Sequence, residues 1–239
     1  MPLLSIVIPA YNEEAFIGKL LEILLALDLS STGFTKEIIV VNDGSKDRTA
    51  EIIAKYPVTL VNQANAGKGA AVQRGIREAT GEYVIVQDAD LEYDPADYIP
   101  MLLAIRDQGA ECVYGSRVLG QIRRKGWGLT PGRHEEAGFG PWLAGVVLSC
   151  WTCLLYQKWI SDTLTAYKIY PRSVFSWMQV KTRGFETDHE ITAKLLRRGV
   201  RIVEVPISYQ PRSVAEGKKI KASDGLIAIW TLLRFRYGS

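Results

Sequence analysis

Cysteine and histidine are scarce in this chain of 239 residues, with three and two copies. Cys112, Cys150 and Cys153 are too few for a disulfide framework. Cys150 and Cys153 lie in an apolar run with no second Cys or His pair to complete a zinc site, so they read as buried thiols in a reducing compartment. His134 and His189 read as surface residues, and no nucleophile–histidine–acid set can be drawn from them. No G-x-G-x-x-G follows the first apolar run, which argues against a dinucleotide-dependent dehydrogenase. Met1-Pro2-Leu3-Leu4 carries neither a basic cluster nor a cleavage site, so no signal peptide is readable. An excess of one charge is lacking too: 29 Lys+Arg against 26 Asp+Glu give +3, and nothing global points to nucleic acid as a partner.

What is there is the composition of an ordinary globular protein, 47% apolar and 23% charged. Short apolar strands read at Leu4–Pro9, Glu37–Val41, Val58–Val61, Tyr83–Val86 and Cys112–Tyr114. Between them, Ile17, Leu20, Leu21, Leu24 and Leu27 recur at helical spacing in a helix opening at Glu13 under an Asn12 cap. Further helices read at Asp47–Tyr56, from Gly67-Lys68-Gly69 through Ala79, and within Pro95–Gln108. Strands alternating with helices imply an α/β fold with a mostly parallel central sheet.

The character changes after Arg117. Arg123-Arg124-Lys125 and Gly126–Gly132 read as a basic, glycine-rich loop. Phe139–Tyr156 carries no charge along its length, at the lower limit for a membrane span, and reads as a buried or interfacial helix. Ile169–Tyr170 reads as a short strand, Thr187–Arg198 as a helix, and Arg201–Tyr209 as a β segment interrupted by Pro206. A last helix, Asp224–Tyr237 under a Ser223 cap, is apolar nearly all round and ends in Arg234 and Arg236. It needs a cover: the domain itself, a partner such as a small membrane-protein subunit, or a bilayer surface. The organisation expected is one domain over 1–222, divided into a nucleotide-binding half (1–117) and an acceptor half (118–222), with 223–239 as a docking helix.

Candidate chemistry gathers at strand ends. Tyr83–Val86 runs into Asp88 and Asp90, with Glu92 and Asp94 at the same spacing. Carboxylates crowded beyond a buried strand repel one another unless a cation lies between them, and hard oxygens favour Mg2+ or Mn2+. Pro9-Ala10-Tyr11-Asn12-Glu13-Glu14, Asn42-Asp43-Gly44-Ser45 and Gly67-Lys68-Gly69 follow the first three strands. In a parallel sheet all four ends share one edge, where α/β folds bind ligands. In the second half, Thr187-x-x-Glu190 reads as a capping box, and Asp188 as a general base or as first-turn charge on the helix dipole.

V-I-P-A-Y-N-E-E, V-N-D-G-S-K-D-R-T, N-A-G-K-G-A-A-V-Q-R-G-I and Q-D-A-D-L-E-Y-D-P, in this order, resemble a family-2 inverting glycosyltransferase of the GT-A fold. S-D-T-L-T-A-Y-K, E-I-T-A-K-L-L and E-V-P-I-S-Y-Q-P-R-S-V-A-E-G-K-K-I resemble the branch of polyprenyl- and dolichyl-phosphate sugar synthases, which includes dolichyl-phosphate mannose synthases. The Q-x-x-R-W of cellulose and chitin synthases is absent from the sequence. The resemblance implies that Pro9, Tyr11 and Glu13 border the nucleotide, that Asp43 bonds its base, and that Lys68 sits near base or ribose. It implies that Asp88, Asp90 and Glu92 hold Mg2+ or Mn2+ against the donor diphosphate, that Arg117 meets the acceptor phosphate, and that Arg212 and Lys218 close over donor phosphates. Mannose synthases often carry Gln where Glu92 stands.

The chemistry is consistent with this. Breaking the C1–O bond of a nucleotide sugar builds charge on the diphosphate and oxocarbenium character on the sugar. A hydroxyl acceptor needs a base, with Asp188 the candidate, whereas a phosphate acceptor is largely dianionic at pH 7 and needs none. Two anionic groups in one site call for cations, and Arg117, Lys168, Arg212 and Lys218 are the candidates. The expectation is a peripheral hexosyltransferase at the cytoplasmic face of a membrane, using GDP-mannose or a UDP-hexose and a dolichyl or undecaprenyl phosphate. The alternatives are the same core acting on a soluble saccharide, or a catalytically silent nucleotide-binding scaffold.

Overall fold

The structure is a computed structural model that describes residues 1–127, 130–133, 139–211 and 222–238, with only the backbone at Pro141 and at 222–224. The first half contains β1 (Leu3–Ala10), α1 (Ile17–Ala26), β2 (Thr35–Asp43), α2 (Thr49–Ile53), β3 (Thr59–Gln63), α3 (Lys68–Glu78), β4 (Tyr83–Val86), α4 (Tyr98–Gln108) and β5 (Cys112–Ser116). The second contains α5 (Arg117–Lys125), α6 (Phe139–Tyr156), β6 (Lys168–Pro171), α7 (Val174–Trp177), α8 (Thr187–Arg197), β7 (Ile202–Pro206) and α9 (Ala222–Tyr237).

The seven strands form one sheet in the order β3-β2-β1-β4-β6-β5-β7. β1 to β4 pair in parallel, as do β5 and β7, whereas β6 runs antiparallel between β4 and β5. Alternation along each strand sends side chains to opposite faces. Leu4, Ile6 and Ile8 of β1 and Ile38 and Val40 of β2 pack with Ile17, Leu20, Leu21 and Leu24 of α1. Val7, Ile39, Val41, Val84 and Val86 face the other way, against Ala71, Val72 and Ile76 of α3. Each such fully buried aliphatic side chain contributes about 1.5–3 kcal/mol to folding, so these faces determine the register and hold the strand ends level. A third cluster joins Tyr114 and Tyr170 to Leu148 and Leu155 of α6, Ile191 and Leu195 of α8, and Ala228, Leu232 and Phe235 of α9.

Several local expectations are corrected. Asn12 does not cap α1, which starts at Ile17; it adopts φ 53° and accepts from Lys46 N instead. Arg123-Arg124-Lys125 is the last turn of α5, not a loop, and that helix is capped by Ser116 Oγ accepting from Leu119 N at 3.0 Å. Three cations in a last turn complement the helix dipole. Cys150 is exposed, not buried. The last helix starts at Ala222, ahead of the expected Ser223 cap.

No described helix is long and apolar enough to cross a membrane. α6 and α9 pack on each other: Trp151 Nε1 donates to Ile229 O at 3.2 Å, and Tyr156 Oη to Leu232 O at 2.7 Å. Their outer faces leave Leu143, Val147, Leu154, Leu226, Ile227 and Trp230 exposed.

Candidate active site

The ends of β1, β2 and β3 are laced together. Asn12 N donates to Ser45 Oγ at 3.0 Å, Glu13 N to Thr49 Oγ1 at 2.9 Å, and Glu14 N to Asp47 Oδ2 at 3.2 Å. This lacing holds the Pro9–Glu14 segment, with Tyr11 partly exposed, beside the end of β2. Asp43 is buried at that end, and its carboxylate accepts from Gln63 Nε2 at 2.7 Å and from Ala66 N and Gly67 N, each at 2.9 Å. The residue expected to read a base is therefore also the clamp on the loop that presents Lys68. That loop needs its glycines. Gly67 has φ +96°, and a Cβ on Gly69 would stand 1.9 Å from Thr187 Oγ1 and 2.7 Å from Arg183 C. The close approach seats the start of α3 against the start of α8, so residues far apart in sequence share one rim.

Beyond β4, Asp90 is buried, and its Oδ1 accepts from Glu92 N at 3.1 Å. Asp88 Oδ1 lies 2.6 Å from Lys68 Nζ. Burial works against the Lys68 charge, but Asp88 and Asp188 outweigh it and raise its pKa above the ordinary value. The Lys68 ammonium also lies over the Phe185 ring, 5.4 Å from its centroid. A positive charge is thus accommodated at Asp88, and a pair of hard carboxylates there fits Mg2+ or Mn2+. Among the described residues, no three Asp, Glu, His or Cys side chains gather around one point. Glu92 turns elsewhere: its Oε2 accepts from Tyr209 Oη at 2.8 Å, and its carbonyl from Gln210 N at 2.8 Å.

Arg117 opens α5 just after β5. Its Nε and Nη2 donate to Asp162 at 2.7 and 2.8 Å, and its backbone N to Asp162 Oδ2 at 3.0 Å. The guanidinium also lies over the Tyr209 ring, 4.8 Å from its centroid. Burial disfavours the Asp162 carboxylate, but Arg117 outweighs that and holds its pKa below the ordinary value. Glu204 of β7 secures the same turn, accepting from Ser161 N at 2.8 Å and Asp162 N at 3.2 Å. Lys168, expected to meet the acceptor, is fully buried; its Nζ donates to Thr163 O at 3.2 Å and lies over the Tyr114 ring. Burial lowers its pKa, opposed by the charges of Asp188 and Asp162.

The start of α8 differs from expectation. Its N-cap is Glu186, with no side-chain cap, so Thr187 and Glu190 do not form a capping box. Glu190 is fully buried and accepts from Lys181 N, Thr182 N and Thr182 Oγ1, with Lys194 as its ion-pair partner. It pins the segment that packs on α3. Burial opposes its charge, but Lys194 and Thr182 outweigh that and lower its pKa. His189 is buried, not on the surface; Nδ1 has no partner among the described residues, and burial, helped by the Lys168 charge, lowers its pKa to about 3. Asp188, in the first turn of α8, lies close enough for its charge to act on both Lys68 and the buried Lys168.

The structure thus brings Asp43, Lys68, Asp88, Asp90 and Asp188 to one rim and joins Arg117 to it through Tyr209. Arg212, Lys218 and His134 lie outside the described residues. Glu204 and Tyr209 were given no such roles by sequence reasoning. The nearest signal was an aromatic residue standing just before the basic Arg212–Lys218 stretch.

Comparisons with known proteins bear on the family and the fold. The chain is 31% identical over 248 residues to a dolichyl-phosphate beta-glucosyltransferase of Trichomonas vaginalis, covering 95% of this chain and 71% of the relative. It is 30% identical over 219 residues to a dolichol-phosphate mannosyltransferase of Pyrococcus furiosus, covering 90% of this chain and 58% of the relative. A low-salt glycan biosynthesis hexosyltransferase of Haloferax volcanii is 29% identical over 234 residues, with 98% of this chain and 53% of the relative covered. The chain therefore spans little more than half the length of two of these relatives. Among solved structures, glucosyl-3-phosphoglycerate synthase from Mycobacterium tuberculosis, in complex with Mn2+, UDP and glucosyl-3-phosphoglycerate, superposes with a TM-score of 0.68 at 20% identity, covering 100% of this chain and 81% of that one. That likeness shows the fold, an α/β GT-A arrangement with a mostly parallel sheet. The family described as Glycosyl transferase family 2 matches residues 5–164, and the chain belongs to it.

Proposed function

We propose that this chain is an inverting hexosyltransferase that moves one hexose from a nucleotide sugar to a polyprenyl phosphate at the cytoplasmic face of a membrane. The observation that carries the reading is the cation set around one carboxylate rim: Lys68 on Asp88, and Arg117 braced by Asp162 beside Glu92 and Tyr209. Such a rim suits two anionic groups, the donor diphosphate and an acceptor phosphate. The names of the relatives above support the same substrate classes.

Pro9, Tyr11, Glu13 and Asp43 border the nucleotide, with Asp43 bonding the base while it holds the Ala66–Gly67 turn. Asp88 and Asp90 hold Mg2+ or Mn2+, which supplies Lewis-acid stabilisation of the leaving diphosphate. Magnesium is commonly bound by one or two carboxylates plus substrate phosphates, so two protein ligands suffice and Glu92 need not be a third. Arg212 and Lys218 close over the donor phosphates. Arg117 offers Nη1, the nitrogen not engaged by Asp162, to the acceptor phosphate, and Lys168 contributes its charge from inside the protein. A phosphate oxygen attacks C1 on the face opposite the leaving group, so an α-linked donor gives a β-linked product. No base is required for that acceptor; Asp188 keeps Lys68 charged and faces the sugar side of the rim. The exposed faces of α6 and α9, with Arg234 beside them, dock the enzyme on the lipid surface that supplies the acceptor.

Incubating the protein with Mn2+, a panel of GDP- and UDP-hexoses and a short-chain polyprenyl phosphate tests the reading. Mass of the lipid-linked product identifies donor sugar and base. Transfer to soluble saccharides with none to the lipid phosphate overturns the acceptor assignment, and makes Asp188 the base to examine.

A further inference from the structure

The reading above leaves Tyr209 without a role, yet it touches both halves of the site. Its Oη donates to Glu92 Oε2 at 2.8 Å. Its ring lies under the Arg117 guanidinium, with 4.8 Å from Cζ to the centroid. The same ring packs on Tyr93, 5.2 Å away, which stacks on Tyr167 at 4.6 Å. The next residue ties the main chain down too, since Gln210 N donates to Glu92 O at 2.8 Å.

Followed outward, these contacts make one continuous path. Asp90 Oδ1 accepts from Glu92 N, Glu92 accepts from Tyr209, Tyr209 carries Arg117, and Arg117 is locked on Asp162. One end is a carboxylate assigned to the cation under the donor diphosphate, and the other is the guanidinium assigned to the acceptor phosphate. A ring with only two side-chain torsions transmits position well. Its hydroxyl bond to a carboxylate is charge-assisted, and its face holds a guanidinium by cation–π attraction.

We propose that Tyr209 is a positioning residue that couples the two substrate subsites, setting the Asp90–Glu92 turn through its hydroxyl and the Arg117 guanidinium through its ring. This rests on the proposed function, because it takes the donor and acceptor assignments from there. Each substrate then binds more tightly when the other is present, and by the same factor in both directions.

Two variants separate the two contacts. Tyr209→Phe removes the hydroxyl bond and keeps the ring under Arg117; Tyr209→Leu removes both. Free Mn2+ is followed by electron paramagnetic resonance during titration in the presence of UDP or GDP, with and without a short-chain polyprenyl phosphate. Tyr209→Phe is expected to weaken Mn2+–nucleotide binding about tenfold, the scale of a lost charge-assisted hydrogen bond, and to remove the mutual enhancement while leaving acceptor binding measured without nucleotide within about twofold. Tyr209→Leu is expected to raise the acceptor KM about tenfold as well, and to abolish the mutual enhancement. Unfolding midpoints of both variants are measured alongside. Unchanged Mn2+ binding and an unchanged enhancement in Tyr209→Phe overturn the coupling. A loss of folded protein in Tyr209→Leu shifts the decision to Tyr209→Phe and to a double-mutant cycle with Glu92→Gln, where additive effects also overturn it. If the wild-type protein binds neither Mn2+–UDP nor Mn2+–GDP, the proposed function fails, and that outcome is distinct from the failure of the coupling.

Discussion

The two sides of the rim, proposed above to take donor and acceptor, are built by different means. On the donor side, loops after β1, β2 and β3 are stitched by hydrogen bonds between neighbouring backbone groups and short polar side chains, as in Asn12–Ser45 and Asp43–Gly67. On the acceptor side, order comes from buried charge: Arg117 on Asp162, Glu190 on Lys194, Lys168 among Thr163 and Tyr114, and Glu204 under Ser161. Hydrogen-bonded loops give a preformed cradle with little stored electrostatic tension. Buried charges are costly when unpaired and respond strongly to the loss of one partner. The acceptor side is therefore where substitution and pH should act on folding, and the donor-side carboxylates where substitution should act on turnover.

The largest expected effect tests the donor side of that contrast. Asp90→Asn is expected to lower the rate of hexosyl transfer at saturating Mn2+ by about a hundredfold or more, from loss of charge at the cation site, with little change in urea midpoint. An unchanged rate removes the assignment of Asp90 to the metal. Asp162→Asn tests the other side. It leaves the Arg117 guanidinium buried against a neutral amide and is expected to cost about 3 kcal/mol in urea unfolding. A loss below about 0.5 kcal/mol, the scale of an exposed pair, would show that the pair is solvated.

His189 gives a smaller effect whose sign follows from its lowered pKa. The unfolded chain takes up a proton near pH 6.5, whereas the folded chain does so only near pH 3. Stability therefore falls as pH drops through that interval, by on the order of 1–2 kcal/mol between pH 6.5 and 5 from this group alone. Thermal unfolding of His189→Asn across that range should show a correspondingly flatter slope; an identical slope would mean that the imidazole is hydrated in the fold. The smallest effect belongs to the outer surface. Trp230→Ser is expected to weaken co-sedimentation with anionic lipid vesicles several-fold, as one interfacial aromatic anchor is removed, while transfer to a short water-soluble acceptor is unchanged. Undiminished vesicle binding would detach α9 from membrane docking.

The same contrast explains what could be read in advance. Tyr83–Val86 and Phe139–Tyr156 are found with the bounds expected, because an apolar run with polar flanks determines its own extent. The ends of β1, β2 and β4 reach one edge because parallel pairing leaves them no alternative. Asn12 and Glu190 were misjudged because a capping side chain is only one rotation from a tertiary partner, and Lys46 N and Lys181 N lie in other segments. His189 looked polar enough for the surface; its burial depends on α8 being covered on both sides. Tyr209 carried little signal because its contacts with Glu92 and Arg117 are made with residues separated from it by much of the chain.

The placement of β6 has a consequence for how the chain assembles. The stretch matched to the family ends at residue 164, before β6 begins at Lys168. Yet among the described residues β6 is the strand that joins β4 to β5, and β5 takes its other neighbour, β7, from still later in the chain. A fragment ending at residue 164 would retain the four-stranded parallel half with its laced loops, while β5 would have no strand on either side. During synthesis the nucleotide side can close first, from contacts between near neighbours, but the Arg117 end of β5 must wait for two late arrivals, a long-range closure of the kind that slows folding. The two substrate subsites would then be completed at different times, the donor cradle early and the acceptor arginine last.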